Sequence, residues 1–186
     1  MAICVFGGAS PTSASRHIKM AYQIGQELAR AQKSVIFGGG ANGMMGAVAS
    51  GAVRSGGSVI GILPKFLFDR EPPHPEVSDI RVVDSMHARK AMMYGLSEAF
   101  LVLPGGFGTL DEAIEVITWR QLSLHTKPIV FVGERLFWAG VEDTFNVMHA
   151  DGFLTNRDRS LAMFVSTPTE AIVALVDALT TVQRSA

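Results

Sequence analysis

The chain has 186 residues, 48% of them hydrophobic and 18% charged. Such a composition excludes a disordered polypeptide and predicts one domain that buries roughly 70% of its unfolded surface without a metal or disulfide staple. Sixteen Lys plus Arg against 17 Asp plus Glu leave a net charge of -1, without the basic excess that binding nucleic acid by phosphate neutralisation demands.

Taken in chain order, Ala2 to Phe6 is a short apolar run stopped by Gly7-Gly8, which predicts a buried strand. The segment from about Ala14 to Gln32 has apolar groups at Ile18, Ala21, Ile24 and Leu28, a helical spacing. Ser34 to Phe37 is the next strand, closed by Gly38-Gly39-Gly40, and Met44 to about Ser55 is a helix of small residues able to pack close to a sheet. Ser58 to Leu63 is a third strand, stopped by Pro64. Lys65 to Asp79 holds Pro72, Pro73 and Pro75 and shows no period, so it predicts a loop, of a length that is usually functional or mobile. Ile80 to Val83 is a short strand, Met86 to Ser97 a helix, and Ala99 to Leu103 a strand apolar enough for the sheet centre. Thr109 to about Leu122 is a helix, Pro128 to Val132 a strand, about Phe137 to Ala150 a helix, and Leu161 to Val165 a strand. Thr167-Pro168-Thr169-Glu170 combines a Thr cap, Pro at the first position and a Glu that completes a capping box. The helix it opens is expected to end near Val182, with 183–186 a frayed tail.

Strands that alternate with helices and read as continuous apolar runs are the pattern of a parallel sheet covered on both faces. The expected architecture is therefore α/β: a Rossmann-like doubly wound parallel sheet of about seven strands, in one domain over residues 1–186. Ligands of such folds bind at the carboxyl ends of the strands. Cys4 is the only cysteine, and no apolar run approaches the ~20 residues of a membrane span. The first residues lack the basic and long apolar regions of a signal peptide. A soluble protein of the reducing cytoplasm is expected.

Three loops at predicted strand ends are rich in glycine. In Pro104-Gly105-Gly106-Phe107-Gly108-Thr109-Leu110-Asp111-Glu112 a strand enters and a helix leaves. Glycines let backbone approach a ligand, and the helix aims unpaired N–H groups and its positive dipole end at the loop, which suits a phosphate. No Gly-Lys-Ser/Thr follows, so it is not a Walker loop. The structural alternative is a turn in which Thr109 and Glu112 form a capping box. Gly38 to Gly46 contains a literal G-x-G-x-x-G, but the next strand ends Ile62-Leu63-Pro64-Lys65 without the acid that a ribose would want. It is either a second wall of the same pocket or close packing through Gly43 and Gly46. Gly7-Gly8-Ala9-Ser10 is the third.

On the helix that follows Ile80 to Val83, Met86, Arg89, Met93 and Leu96 share one face. An arginine in that apolar stripe needs an anionic partner: a ligand, or a nearby carboxylate such as Asp84. His17, His74, His87, His125 and His149 show no metal-ligand spacing, so no metal is expected. Ser10 and Thr12 lack a paired base in sequence. Trp119, Phe137 and Trp138 read as core or interface groups, and Cys4 as a buried small hydrophobe.

These motifs resemble the LOG (Lonely Guy) family of cytokinin riboside 5′-monophosphate phosphoribohydrolases. The family's P-G-G-x-G-T-x-x-E signature is present in full from Pro104 to Glu112. Supporting matches are Gly38-Gly39-Gly40 with Gly43 and Met45-Gly46, Val59 to Lys65, Met86-His87-Ala88-Arg89-Lys90, and Glu115-Val116-Ile117-Thr118-Trp119. The resemblance runs from the first strand to about Leu154. It implies hydrolysis of the N-glycosidic bond of a nucleoside 5′-monophosphate, AMP included, to free base and ribose 5-phosphate. It places the catalytic pair on Arg89 and Glu112, and substrate binding on Glu71, Lys90, Gly105, Gly106, Phe107, Gly108, Thr109, Leu110, Asp111 and Thr118. It implies no cofactor, a nucleotide substrate rather than nucleic acid or membrane, and a homodimer; Val116 and Trp119, off the main stripe of the Thr109–Leu122 helix, are expected on the contact surface. The chain departs from the family at Phe6-Gly7-Gly8-Ala9-Ser10, where F-C-G-S-S is common, at Phe107, where Tyr or Met is commoner, and in the proline-rich loop that holds Glu71. Two other readings stay open: an AMP nucleosidase of purine salvage, and a non-catalytic nucleotide or cofactor carrier.

Overall fold

Successive side chains leave a strand on opposite faces, so a strand that is apolar at every position must be covered on both. The computed structural model, which describes residues 1–68 and 72–184, meets that demand with a seven-stranded sheet between two helical layers. The elements are β1 (Ala2–Phe6), α1 (Ser15–Arg30), β2 (Ser34–Phe37), α2 (Gly43–Arg54), β3 (Val59–Pro64), β4 (Asp79–Val83), α3 (Met86–Leu96), β5 (Ala99–Val102), α4 (Phe107–Gln121), β6 (Ile129–Val132), α5 (Arg135–Ala150), α6 (Asn156–Arg159), β7 (Met163–Val165) and α7 (Pro168–Arg184). All pairings are parallel, in the order β4-β3-β2-β1-β5-β6-β7. The winding direction reverses between β1 and β5, so the crevice for a ligand opens beyond their carboxyl ends.

The two faces of the sheet are read by alternate residues. Ile3, Val5, Val35, Phe37, Leu101 and Val130 point into one core with Ile24 and Leu28 of α1, Val48 of α2 and Leu175 of α7. Cys4, Phe6, Ile36, Phe100, Val102 and Phe131 point into the other, with Met93 of α3, Val116 of α4 and Trp138 of α5. On the first face α1 and α2 touch backbone to backbone. A Cβ on Gly25 would overlap the Val48 carbonyl, and one on Gly51 would overlap that of Tyr22.

Several boundaries differ from the sequence reading, each for a local reason. Helix α4 starts at Phe107 rather than Thr109, because Gly106 takes the extended N-cap conformation (φ -102°, ψ -153°) without a side-chain cap. Thr109 is thus inside the helix, and the Thr109–Glu112 capping box of the structural alternative does not form. The short α6 was not expected, although its signal is present: Thr155 and Asp158 make a reciprocal capping box. The Thr167–Glu170 box forms as expected, with Glu170 N–H donating to Thr167 Oγ1 (3.2 Å) and Thr167 N–H to Glu170 Oε2 (3.3 Å). Helix α7 continues past Val182 to Arg184; residues 185 and 186 of the expected tail lie outside the described residues.

The segment expected as a long loop has a 3-10 turn at Lys65–Leu67. Its later part is anchored, since Pro73 bridges Gly40, His74 N–H donates to Gly39 O (2.9 Å), and the His74 ring bonds Ser50 Oγ (2.9 Å). Among the described residues no helix is long and apolar enough to cross a membrane.

Gly51→Leu should therefore unfold the protein or cost several kcal/mol, on the order of an overpacked core. Gly95→Ala, at an exposed helical position with nothing near the added Cβ, should stabilise by about 0.5–1 kcal/mol. Urea denaturation of both variants checks the pair of signs.

Candidate active site

The site is assembled from three glycine loops that pack on one another. Gly8 N–H donates to Pro104 O (3.0 Å), joining the loops after β1 and β5, and Met44 N–H donates to Gly8 O (2.8 Å), joining α2 to the first. Gly43, at φ +61°, presses on Ala9 and Gly8, where a Cβ would lie 2.6 Å from the Gly8 oxygen. A Cβ on Gly105 would overlap the Thr109 hydroxyl. Both readings of the Gly38–Gly46 stretch thus hold in different parts: Gly43 and Gly46 serve packing, while Gly38 walls a cavity.

That cavity has a volume of about 360 Å³ and lies at the β1/β5 reversal. Its floor and walls are Gly7 to Ser10, Gly38, Gly106, Gly108, Thr109, Asp111 and Glu112, with an apolar side made of Met45, Leu67, Met86 and Met93. The N–H groups of Phe107, Gly108 and Thr109 find no acceptor among the described residues; the first bonded amide of α4 is that of Leu110, to Gly106 O (3.1 Å). Unsatisfied donors and the positive end of a helix together favour an anion there.

Ser85 caps α3 by accepting from Ala88 N–H (3.1 Å), which directs Met86, Arg89 and Met93 toward the crevice. The Arg89 guanidinium lies against Gly38, where any Cβ would occupy the same space. Its ion-pair partner is Glu112 rather than Asp84: Nη2 stands 3.8 Å from Glu112 Oε1, with the side chains 15% and 11% exposed. Arg89 Nε is buried and bonds to nothing among the described residues.

Burial raises the Glu112 pKa to about 7; Arg89 and, less strongly, Lys90 pull it down, while Asp111 and Glu115 add to the rise. Beneath it, Cys4 is fully buried, and its thiol is held well above the usual range by burial first and the Glu112 charge second. It packs as the small hydrophobe expected from its place in β1.

Not every expected site residue reaches the cavity. Arg89, Glu112, Gly106, Gly108, Thr109 and Asp111 line it together. Lys90 does not: its ammonium is clasped by Asp111 Oδ2 (3.1 Å) and Glu115 Oε1 (3.2 Å), beside Tyr94 and Trp119 in a separate small cavity that also touches Glu112. Burial disfavours the Lys90 charge, but the bonds to those carboxylates outweigh it and its pKa is raised. Thr118 donates to Ile114 O (2.8 Å) and lines a different groove with Ile117 and Met148. Gly105 supports Thr109 from below, Leu110 packs toward the sheet, and Phe107 projects into solvent at 93% exposure. Glu71 lies outside the described residues.

Val116, expected on a contact surface, is instead buried under α4, and Trp119 stacks edge-on with Tyr94 at 4.8 Å. Met45 and Leu67 were missed. The shared stripe of Met86, Arg89 and Met93 pointed to part of the apolar side, but Leu67 comes from a segment with no period to read. Among the described residues no three His, Cys, Asp or Glu side chains gather as a metal site.

A family model described as "Possible lysine decarboxylase" matches residues 45–175. The cytokinin riboside 5′-monophosphate phosphoribohydrolase LOG of Oryza sativa subsp. japonica is 37% identical over 174 residues, covering 93% of this chain and 72% of that protein. The cytokinin riboside 5′-monophosphate phosphoribohydrolase of Rhodococcoides fascians is 35% identical over 174 residues, covering 93% of this chain and 88% of its own length. Among solved structures, the Moco carrier protein of Chlamydomonas reinhardtii superposes with a TM-score of 0.76 over 97% of this chain and 98% of that one. Its 23% identity makes this a likeness of fold alone.

The raised Glu112 pKa has a consequence for stability. The folded state holds the proton more tightly than the unfolded chain, whose carboxyl titrates near 4.5. The protein is then most stable, on this account, below the unfolded value, and loses stability as pH rises to about 7. Glu112→Gln should stabilise by about 3 kcal/mol at about pH 8 and by under about 1 kcal/mol at about pH 5. Urea unfolding at the two pH values measures the difference.

Proposed function

The chain belongs to the LOG family, and from that premise we propose that it hydrolyses the N-glycosidic bond of cytokinin riboside 5′-monophosphates, and of AMP, releasing free base and ribose 5-phosphate. The observation that carries this reading is the buried Glu112 facing Arg89, in the same cavity as the free amides of α4. Those amides and the Thr109 hydroxyl would hold the 5′-phosphate. Anchoring it fixes the anomeric carbon against the carboxylate, which converts positioning into rate.

As the bond between the anomeric carbon and the base nitrogen breaks, positive charge grows on the ribose ring. Glu112, when ionised, stabilises that charge and takes a proton from the water whose oxygen bonds the anomeric carbon. The departing nitrogen carries off the electron pair of the broken bond and is protonated in turn. A carboxylate that titrates near 7 suits both accepting and returning this proton at neutral pH. Arg89 favours the ionised form of Glu112, and its Nε, without a partner among the described residues, is a donor for a ribose or phosphate oxygen. Lys90 would act from behind, through Asp111 and Glu115.

The decarboxylase description of the family model gains no support from Lys90, whose ammonium is already held by two carboxylates. A carrier would need to hold an anion, but it would not need a desolvated carboxylate opposite an arginine. We take residues 1–186 as one nucleotide-binding catalytic domain. The expected cytoplasmic setting, with its reducing conditions, agrees with the buried thiol of Cys4. We also take the chain to be a homodimer, through the apolar groove of Ile114, Ile117 and Met148 rather than through Val116.

Incubation with AMP and with isopentenyladenosine 5′-monophosphate, with free base followed by chromatography, tests the proposal. Glu112→Gln should lower kcat by about 10²- to 10⁴-fold with little change in nucleotide affinity. Arg89→Met should lower kcat/KM by about tenfold or more. Unchanged turnover in the Glu112 variant would remove it from the chemistry, and a monomer in light scattering at micromolar concentration would remove the dimer.

A further inference from the structure

His74 is a titratable side chain only 5% exposed, and the reaction described above makes no use of it. We propose that His74 is a positioning residue for that reaction: its ring and its backbone N–H clamp the two ends of the Gly38–Gly46 stretch, and so hold Gly38 where the Arg89 guanidinium is seated. The inference rests on the hydrolase reading given above.

The stretch leads from the end of β2 into α2, with Gly39 at φ +84° and Gly43 at φ +61°. A segment so rich in glycine has little stiffness of its own. His74 ties it at both ends. The His74 N–H donates to Gly39 O (2.9 Å), next to Gly38, and Pro73 bridges Gly40. The ring Nε2 lies 3.2 Å from Gly46 O and 2.9 Å from Ser50 Oγ, both on α2. The ring also packs edge-on against Phe37, the residue before Gly38, at 6.4 Å. Gly38 in turn meets the Arg89 guanidinium so closely that any Cβ would overlap it. A displaced Gly38 would therefore displace Arg89, whose Nη2 is 3.8 Å from Glu112 Oε1.

The partners of the ring fix its state. Glu76 N–H donates to Nδ1 (3.2 Å), and an amide can only donate, whereas Gly46 O can only accept. The clamping ring is thus neutral, with its proton on Nε2. A second proton, on Nδ1, would face the Glu76 N–H, donor against donor. The charged groups beside the ring are Arg54 of α2 and Glu76 of its own segment, joined to each other by bonds of 2.6 and 3.0 Å, while β2 presents the uncharged Phe37. Burial holds the ring's pKa below its ordinary value and the Arg54 charge adds to this, against the opposite pull of Gly46 O and Glu76.

The clamp acts on Glu112 through Gly38 and Arg89. Because Arg89 favours the ionised form of Glu112, a loosened clamp that lets the guanidinium drift leaves Glu112 protonated to a higher pH. A residue that merely stabilised the fold would change the unfolding midpoint without moving that titration.

Carbon-13 NMR titration of Glu112 in the wild-type protein, His74→Phe, Arg89→Met and the double variant tests the clamp. His74→Phe keeps a ring beside Phe37 and the backbone N–H but removes the ring donor. It should raise the Glu112 inflection by about half a pH unit or more, and should add no shift where Arg89→Met is already present. Base release from AMP should fall about threefold below the inflection, as half a unit implies, and much less above it. His74→Gln, which returns a donor toward Gly46 O, should reverse most of the shift. If His74→Phe does not fold, His74→Leu, smaller and likewise without a ring donor, takes its place. Nitrogen-15 NMR of the wild-type ring supplies a measure independent of any variant: at pH 7 it should be neutral with its proton on Nε2. An unmoved Glu112 inflection, an equal shift in the absence of Arg89, or a ring protonated on Nδ1 at pH 7 would overturn the clamp. Absence of base release from the wild-type protein would instead sink the hydrolase reading, while the Glu112 titration still decides whether His74 positions Arg89.

Discussion

A carboxylate and a guanidinium 3.8 Å apart, both nearly shut off from water, make the demand that the rest of this molecule answers. Removing two charges from solvent costs several kcal/mol each unless partners and fixed dipoles replace the water. Here the replacement is incomplete: the pair is long, and Arg89 Nε finds no acceptor among the described residues. The sheet supplies the rigid frame. Its reversal between β1 and β5 opens the crevice, α3 brings Arg89 from one side, and α4 brings Glu112 from the other. Gly38 is the residue without which the guanidinium has no place to lie.

The electrostatics of α4 are graded along its first two turns. Free amides at Phe107 to Thr109 attract an anion at its start. One turn on, Glu112 is held near neutrality by burial, and behind it Lys90 is shared between Asp111 and Glu115. The Lys90 cluster keeps a cation within range of Glu112 without placing it in the cavity, where it would compete with Arg89 for substrate oxygens. A carboxylate held in this state lowers stability at neutral pH. Such costs are common where function, rather than folding, selects a residue.

Much of this was legible in the sequence, and the unread parts share a cause. Continuous apolar runs such as Ala99 to Leu103 and Ala2 to Phe6 announced strands buried on both faces, and the alternation of strands with helices gave the parallel winding. Pro104 to Glu112 announced the anion site because strand, glycines and helix start are contiguous. Arg89 and Glu112 were legible singly: the arginine by its place in an apolar stripe, the glutamate by its place in the signature. Their pairing came only with the resemblance, which names them together, because spacing alone left Asp84 as good a partner. The start of α4 was read two residues late because a glycine, Gly106, can fill the cap position without a side-chain oxygen. Lys90 and Thr118 stand in matching sequence positions yet turn away from the cavity, since helical phase and local ion pairs, not motif membership, decide where a side chain goes.

The claim on which the account stands is that Glu112 is a desolvated carboxylate whose charge state governs hydrolysis. A carbon-13 NMR titration of Glu112, set beside the pH dependence of base release from AMP, tests it directly. The account predicts one shared inflection near pH 7, with activity rising as the carboxylate ionises and the inflection moving upward in Arg89→Met. A Glu112 that titrates in the ordinary carboxylate range, or base release that ignores its titration, would contradict it.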